Sequence, residues 1–373
     1  MTRLIPLIIL TVFALTSSNS FAQGRFYQWK TQSAGAPILI YVPDHKSAVT
    51  LTKKYLKHLF KHPDLAELFH GRPPAVGEIS ENDFTLVNDR QVNRSALLIS
   101  NNDSDFDHTS QRVFNFKASL SHARLDTLIL PMRWDLVLTY EEFRDFKDKV
   151  ANEIPMLIAM GGEDVHPALY GAENLYSHNV VHSRDVYEIS FIKKYVEAQK
   201  GFILGICRGH QIASVALGYQ LTQDVPSMHG DDVSHSNHEH AIKIFSTTHS
   251  ILKSALNRIG SSKIGQSKIG SAARVVVNSL HHQAVRFLSN RGYTAKRTEL
   301  ELAAISDDGV VEALEFKNGK GLLLQFHPER MHNHWVNKSI FSYIGQKVRE
   351  ENVRQQEQLG QLGQKVISCQ KIY

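Results

Sequence analysis

Cysteine is nearly absent. Two residues, Cys207 and Cys369, cannot build a disulfide framework, so the fold has to be held by its core. Blocks of Lys or Arg are missing too. The formal charge of +5 is scattered along the chain, which excludes the electrostatic footprint of a nucleic-acid or membrane-surface binder and leaves solubility as the reading of the basic balance. Beyond the first residues no apolar run approaches the roughly 20 residues of a bilayer span. No internal repeat is visible, which excludes a solenoid or propeller. With 42% apolar residues over 373 positions, the chain has the composition of a globular protein large enough for one big domain.

The first 22 residues carry an export pattern: Arg3, an apolar stretch from Leu4 to Leu15, then Ser20-Phe21-Ala22 as a small-x-small cleavage site. The mature chain is expected to begin near Gln23 and to act outside the cytoplasm, periplasmic or extracellular. Residues 23–348 read as a single domain and 349–373 as a Gln-rich tail, helical or frayed. Apolar runs at Ala36–Val42, Leu125–Pro131, Pro155–Met160 and Gly201–Ile206 alternate with helical patterns at Val49–Phe60, Tyr140–Val150, Arg184–Lys200 and Gln211–Leu217. This alternation predicts an α/β fold with a largely parallel central sheet flanked by helices. Strands are expected at Ala241–Phe245, Arg274–Asn278, Leu302–Ser306, Val310–Phe316 and Gly321–Phe326, and a helix at Ile340–Val348. The stretch 62–119, rich in Pro, Asn, Asp and Ser, is read as a candidate insertion.

Chemistry concentrates at Cys207, in Gly205-Ile-Cys-Arg-Gly209. The predicted strand turns straight into a helix there, and glycines two positions either side keep bulk off neighbouring elements. The helix start favours thiolate over thiol. A second constellation ends the strand Leu322-Leu-Leu-Gln-Phe-His-Pro-Glu329: His327 as a base, with Glu329 fixing its tautomer.

Together with Met160-Gly-Gly-Glu-Asp-Val-His-Pro-Ala-Leu-Tyr-Gly171, Arg184-Asp-x-x-Glu188 and Asn278-Ser-Leu-His-His-Gln-Ala-Val285, these blocks resemble the class I glutamine amidotransferase-like hydrolases, in the branch of γ-glutamyl hydrolases and γ-glutamyl-γ-aminobutyrate hydrolases. The resemblance runs from about Leu125 to Phe341. It implies a flavodoxin-like sheet with a nucleophile elbow and a Cys207–His327–Glu329 triad. It further implies an oxyanion held by the backbone N–H groups of Gly162 and Arg208, and a substrate wall of Gln211, Asn278, Ser279, His281, His282 and Gln283. No cofactor and no metal are implied. The implied substrate is a small-molecule or peptide γ-glutamyl amide, and a homodimer is compatible with the reading.

Met160 replaces the Pro usual before Gly-Gly, Ser214 an Asn, and Gly218-Tyr219-Gln220 a Gly-Gly-Thr. These departures bear on the substrate pocket, not on the triad. Two other readings follow from the same residues: a non-catalytic secreted binding protein on this scaffold, and a glutaminase-type amidotransferase subunit, against which the export pattern speaks. The residues His229, Asp231, Asp232, His235, His238 and His240 are dense enough to raise zinc binding, but show no recurring ligand spacing and are read as a solvated loop.

Overall fold

A computed structural model describes residues 24–31, 35–59, 61, 74–99, 106–229, 234–260, 273–287 and 299–370. The export pattern, Asp231 and Asp232 lie outside the described residues, and so do the side chains of His229 and Cys369.

The strands are β1 (Gly24–Trp29), β2 (Ile38–Pro43), β3 (Phe84–Leu86), β4 (Ser95–Ile99), β5 (Asp126–Leu130), β6 (Met156–Ala159) and β7 (Phe202–Ile206) in the first part of the chain. They continue with β8 (Gln220–Thr222), β9 (Ser236–Ile244), β10 (Ala273–Leu280), β11 (Ala284–Arg286), β12 (Leu300–Ser306), β13 (Val311–Phe316) and β14 (Gly321–Leu324). The helices are α1 (Ala48–Leu59), α2 (Asp89–Val92), α3 (Phe106–Ala123), α4 (Tyr140–Glu153), α5 (His182–Ala198), α6 (Arg208–Ala216), α7 (Val225–His229), α8 (Ile251–Gly260) and α9 (Trp335–Gln370).

Among the described residues, twelve strands form one sheet in the order β10-β9-β12-β13-β14-β7-β6-β4-β5-β2-β1-β3, and β8 pairs with β11 in a small second sheet. The six central strands from β14 to β2 are mutually parallel. Antiparallel strands extend the sheet on both edges. β2, β4, β6, β7 and β14 are buried along their whole length, as expected of strands covered on both faces. Successive side chains alternate between the two faces: Leu97 and Ile99 of β4 join one hydrophobic cluster with α1, α4, α5 and α6, while Ala96 and Leu98 join the other with α3, α8 and α9.

The expected strands and helices that flank Cys207 are present. The reading of 62–119 as an insertion is corrected: β4 lies between β5 and β6 at the centre of the sheet. Its Ser95-Ala-Leu-Leu-Ile99 run is short because parallel core strands are short, and its polar flanks hid it. Helix α4 starts at a capping box in which Thr139 accepts from the Glu142 N–H and Glu142 accepts from the Thr139 N–H. The Gln-rich tail continues the last helix to Gln370. No described helix is long and apolar enough to cross a membrane.

Candidate active site

β7 and β14 are parallel neighbours in the register Leu324↔Ile206, so the segments that follow them leave the sheet at the same edge. Cys207 follows Ile206 directly, and His327 comes three residues after Leu324. This adjacency is what brings two groups 120 positions apart in sequence to one place.

Cys207 is the turn itself. Its φ of 55° and ψ of −113° fall where a side chain is rarely tolerated, at a cost of about 1–3 kcal/mol. Hydrogen bonds hold it there: its N–H donates to the Leu324 carbonyl at 2.7 Å, and its carbonyl accepts from His210 at 3.0 Å and Gln211 at 3.2 Å. The flanking glycines are required by contact. A Cβ on Gly209 would lie 1.9 Å from the Ala159 carbonyl oxygen of β6, and one on Gly205 would lie 2.6 Å from the Gly209 carbonyl oxygen. The Cys207 Sγ lies 3.7 Å from the Leu280 carbonyl oxygen, to which the thiol donates.

His327 is gripped from three sides. Asn278 accepts from its backbone N–H at 2.9 Å and donates to its carbonyl at 2.9 Å. Its Nδ1 lies 2.7 Å from Glu329 Oε1. The chain between them is a single turn of 3₁₀ helix, Pro328–Arg330, so Glu329 reaches the ring by a tight turn instead of by the extended geometry the sequence suggested. The Nε2 atom is buried without a hydrogen bond. A Cβ on Gly161 would touch both His327 Cε1 at 3.1 Å and Cys207 Cβ at 3.5 Å, which places ring and thiol side by side around that glycine. Burial opposes a charge on His327, but the Glu329 carboxylate and the Cys207 thiolate outweigh it and push its pKa up to about 9.

The Gly161 carbonyl accepts from Arg112 at 3.3 Å and from Arg184 at 3.5 Å. A planar trans peptide then turns the Gly162 N–H to the opposite side, and Gly162 itself has a φ of 153°. The Arg208 guanidinium points into a buried ion network: it meets Glu188 at 2.6 Å and also Asp185, while Arg184 meets Glu188 at 2.7 Å and Glu163 at 2.6 Å. The backbone N–H of Arg208 opens α6, in the first turn, where N–H groups have no intrahelical acceptor.

The expected substrate wall meets protein partners. Gln211 donates to the Gln283 carbonyl at 3.0 Å, and Gln283 donates to Ser177 at 2.8 Å. Ser279 donates to the His235 carbonyl. His281 is buried, with Nδ1 3.0 Å from the Gln283 carbonyl oxygen and Nε2 3.6 Å from Glu312. His282, about one third exposed, lies between Asp164 at 2.9 Å and Asp224 at 3.2 Å, and its hydrogen bond to Asp164 is the main cause of a raised pKa. His178 stacks on the His282 ring and donates its backbone N–H to Asp164.

Sequence reasoning missed Asp224, and it missed Glu312 with His235 and His240 packed around it. The available signal was a charge inside an otherwise apolar strand, Val310-Val-Glu-Ala-Leu314. A groove lined by Gly24, Tyr41, Asp44 and Arg144 opens beside β1 and α4 and includes none of these groups.

A family model described as Peptidase C26 matches residues 122–329. Protein YvdE of Lactococcus lactis subsp. lactis, whose name calls it glutamine amidotransferase-like, is 31% identical over 60% of this chain and 80% of its own length. A Rickettsia prowazekii protein of the same description is 30% identical over 51% of this chain and 75% of its own length. Among solved structures, a glutamine amidotransferase from Thermotoga maritima aligns over 69% of this chain and 99% of its own, at 12% identity and a TM-score of 0.41.

Proposed function

The chain belongs to the peptidase C26 family, and from that premise we propose that it is a cysteine hydrolase cleaving γ-glutamyl amide bonds. The coarser statement, an enzyme of the amide hydrolase and amidotransferase type, rests on the family and on its glutamine amidotransferase-like relatives. The thiol mechanism rests on a single observation, that Cys207 stands on a strained elbow beside a His327 whose far nitrogen is tied to Glu329 at 2.7 Å, and the γ-glutamyl substrate on the resemblance of the sequence blocks to γ-glutamyl hydrolases.

The chemistry follows from that arrangement. The Cys207 thiolate attacks the γ-carbonyl, forming an S–C bond and a tetrahedral oxyanion, which the N–H groups of Gly162 and Arg208 stabilise. His327, held as imidazolium by Glu329, protonates the leaving amine as the C–N bond breaks. The neutral imidazole then takes a proton from water, which attacks the thioester and releases glutamate. The departing group is an amine or a peptide. On the rim, the carboxylates of Asp164 and Asp224, shared with His282, give an anionic edge suited to the α-ammonium of a glutamyl group.

The test is release of free glutamate from γ-glutamyl amides, dipeptides and polyglutamates, compared between wild type and Cys207→Ala. Release by wild type and a fall of at least about 10³-fold in the variant is expected. Equal release by both proteins would sink the thiol mechanism, and release by neither, from folded and reduced protein, would favour the binding-protein reading. Export is part of the proposal and rests on the first 22 residues. Sequencing the N-terminus of protein recovered from the periplasm or medium should give Gln23 or Gly24, and retention of Met1 in the cytoplasm would refute it.

A further inference from the structure

Four side chains outside the proposed triad converge on one buried point: His235 just before β9, His240 on β9, His281 just after β10, and Glu312 on β13. Their ligand atoms all lie within 4.8 Å of one another. The side chains are 2%, 7%, 2% and 0% exposed respectively. We propose that they form a closed site for one divalent metal ion of the zinc class.

Spacing distinguishes this from an ordinary ion-pair cluster. Glu312 Oε1 lies 3.4 Å from His235 Nδ1, 3.3 Å from His240 Nε2 and 3.6 Å from His281 Nε2. Charge-assisted hydrogen bonds are shorter, about 2.7–2.9 Å. In keeping with that, these three nitrogens and both Glu312 oxygens are buried without a hydrogen bond. Four ligands at about 2.0–2.1 Å from a tetrahedral ion stand about 3.3 Å apart, since the tetrahedral edge is about 1.6 bond lengths. The Glu312 separations are close to that edge.

The far side of each ring is already oriented. His235 Nε2 lies 3.0 Å from Asp308 Oδ2, His281 Nδ1 lies 3.0 Å from the Gln283 carbonyl oxygen, and His240 Nδ1 lies 3.4 Å from the Ala241 carbonyl oxygen. A carboxylate or carbonyl behind each imidazole fixes the tautomer that turns a lone pair inward, the outer arrangement of histidine metal sites. Three imidazoles and one carboxylate suit a borderline cation.

Four protein ligands leave no open position, so the ion would be structural. It would pin β9, β10 and β13 together at the end of β10, where Leu280 presents its carbonyl to Cys207. Of the residues that the sequence offered for zinc, His235 and His240 take part among those whose side chains are described. The described side chain of His238 is exposed on β9, and the decisive ligands come from elsewhere in the chain.

The proposal stands apart from the hydrolase reading and is tested without an activity assay. Untagged full-length protein is stripped with a chelator and titrated with Co²⁺, followed by visible absorption, for wild type, His240→Ala, Glu312→Gln and Cys207→Ser. One Co²⁺ per chain with the intense bands of a tetrahedral site is expected in wild type and Cys207→Ser, with affinity at least about 100-fold weaker in the two ligand variants. Binding that survives His240→Ala and Glu312→Gln in full overturns the site. So does a thiolate-to-cobalt charge-transfer band that Cys207→Ser removes, because the ion would then sit on the nucleophile. Should the ligand variants fail to fold, wild type alone decides: folded chelated protein that takes up no Co²⁺, and whose melting temperature Co²⁺ or Zn²⁺ leaves unchanged, refutes it.

Discussion

At Cys207 a backbone conformation that costs energy is overridden by hydrogen bonds from two neighbouring elements, and the neighbouring His327 shows the same economy in electrostatics. Burial disfavours its charge, yet the Glu329 carboxylate and the thiolate raise its pKa to about 9. Glu329→Gln keeps the shape and removes the charge. The affinity of His327 for its proton then falls, so the alkaline limb of the rate profile, where the imidazolium is lost, moves to lower pH. The turnover rate falls by about 10²–10⁴-fold. The limbs belong to the Cys–His pair jointly. A profile in Glu329→Gln superimposable on wild type would remove Glu329 from its positioning role. The same shift has a sign for stability. Because the folded pKa lies above the ordinary 6.5, the charged ring stabilises the fold fully below about 6.5, and that contribution is lost as pH rises through about 9. The midpoint of denaturant unfolding in wild type should therefore drop more steeply over that range than in Glu329→Gln.

Among the elements, the contact between α6 and β6 sets how near the elbow can approach the sheet, and glycine is its hinge. Gly209→Ala forces a Cβ to within 1.9 Å of the Ala159 carbonyl oxygen; backbone cannot yield as a flexible side chain can, so a loss of more than about 3 kcal/mol is expected. Gly171→Ala is the control. Its φ of 71° is strained for alanine but nothing lies within 4 Å, and about 1–2 kcal/mol is expected. Comparable unfolding midpoints for the two variants would show that conformation, not contact, selects the glycines. The elements around this hinge were legible in sequence because each couples an apolar run to a glycine turn. Strand β4 was not, because four apolar residues between polar loops read equally well as a loop's anchor. The path from His327 to Glu329 was legible in its residues and misjudged in its geometry: Pro328 starts a 3₁₀ turn where an extended chain was expected. The buried histidines were least legible of all. His281 was read on a substrate wall and His235 in a solvated loop, since nothing local in either segment announces Glu312, which reaches them only across strand pairings of the sheet.

Across the whole molecule, the site depends on charges that lie beneath it. Arg184 and Glu188 of α5, Arg208 of α6 and Glu163 after β6 are almost fully buried and mutually paired, and Arg184 also donates to the Gly161 carbonyl. Burial raises the proton affinity of Glu188, but the two guanidiniums more than offset it and hold its pKa below the usual carboxylate range. Glu188 is thus the shared anion of two arginines, and the network couples the packing of α5 on α6 to the peptide whose N–H is proposed to receive the oxyanion. Removing it as Glu188→Ala leaves two buried cations under-compensated, which should cost about 3–5 kcal/mol in denaturant unfolding. Because Arg184 then loses one of its anchors, its hold on the Gly161 carbonyl is loosened, leaving that peptide less firmly oriented, and the turnover rate of the folded fraction should fall by about 10–100-fold with little change in KM. Glu188→Gln, which keeps hydrogen-bond acceptance at one oxygen, should fall between. A Glu188→Ala enzyme that is destabilised yet turns over normally when folded would separate the network from the chemistry and leave it a brace between helices.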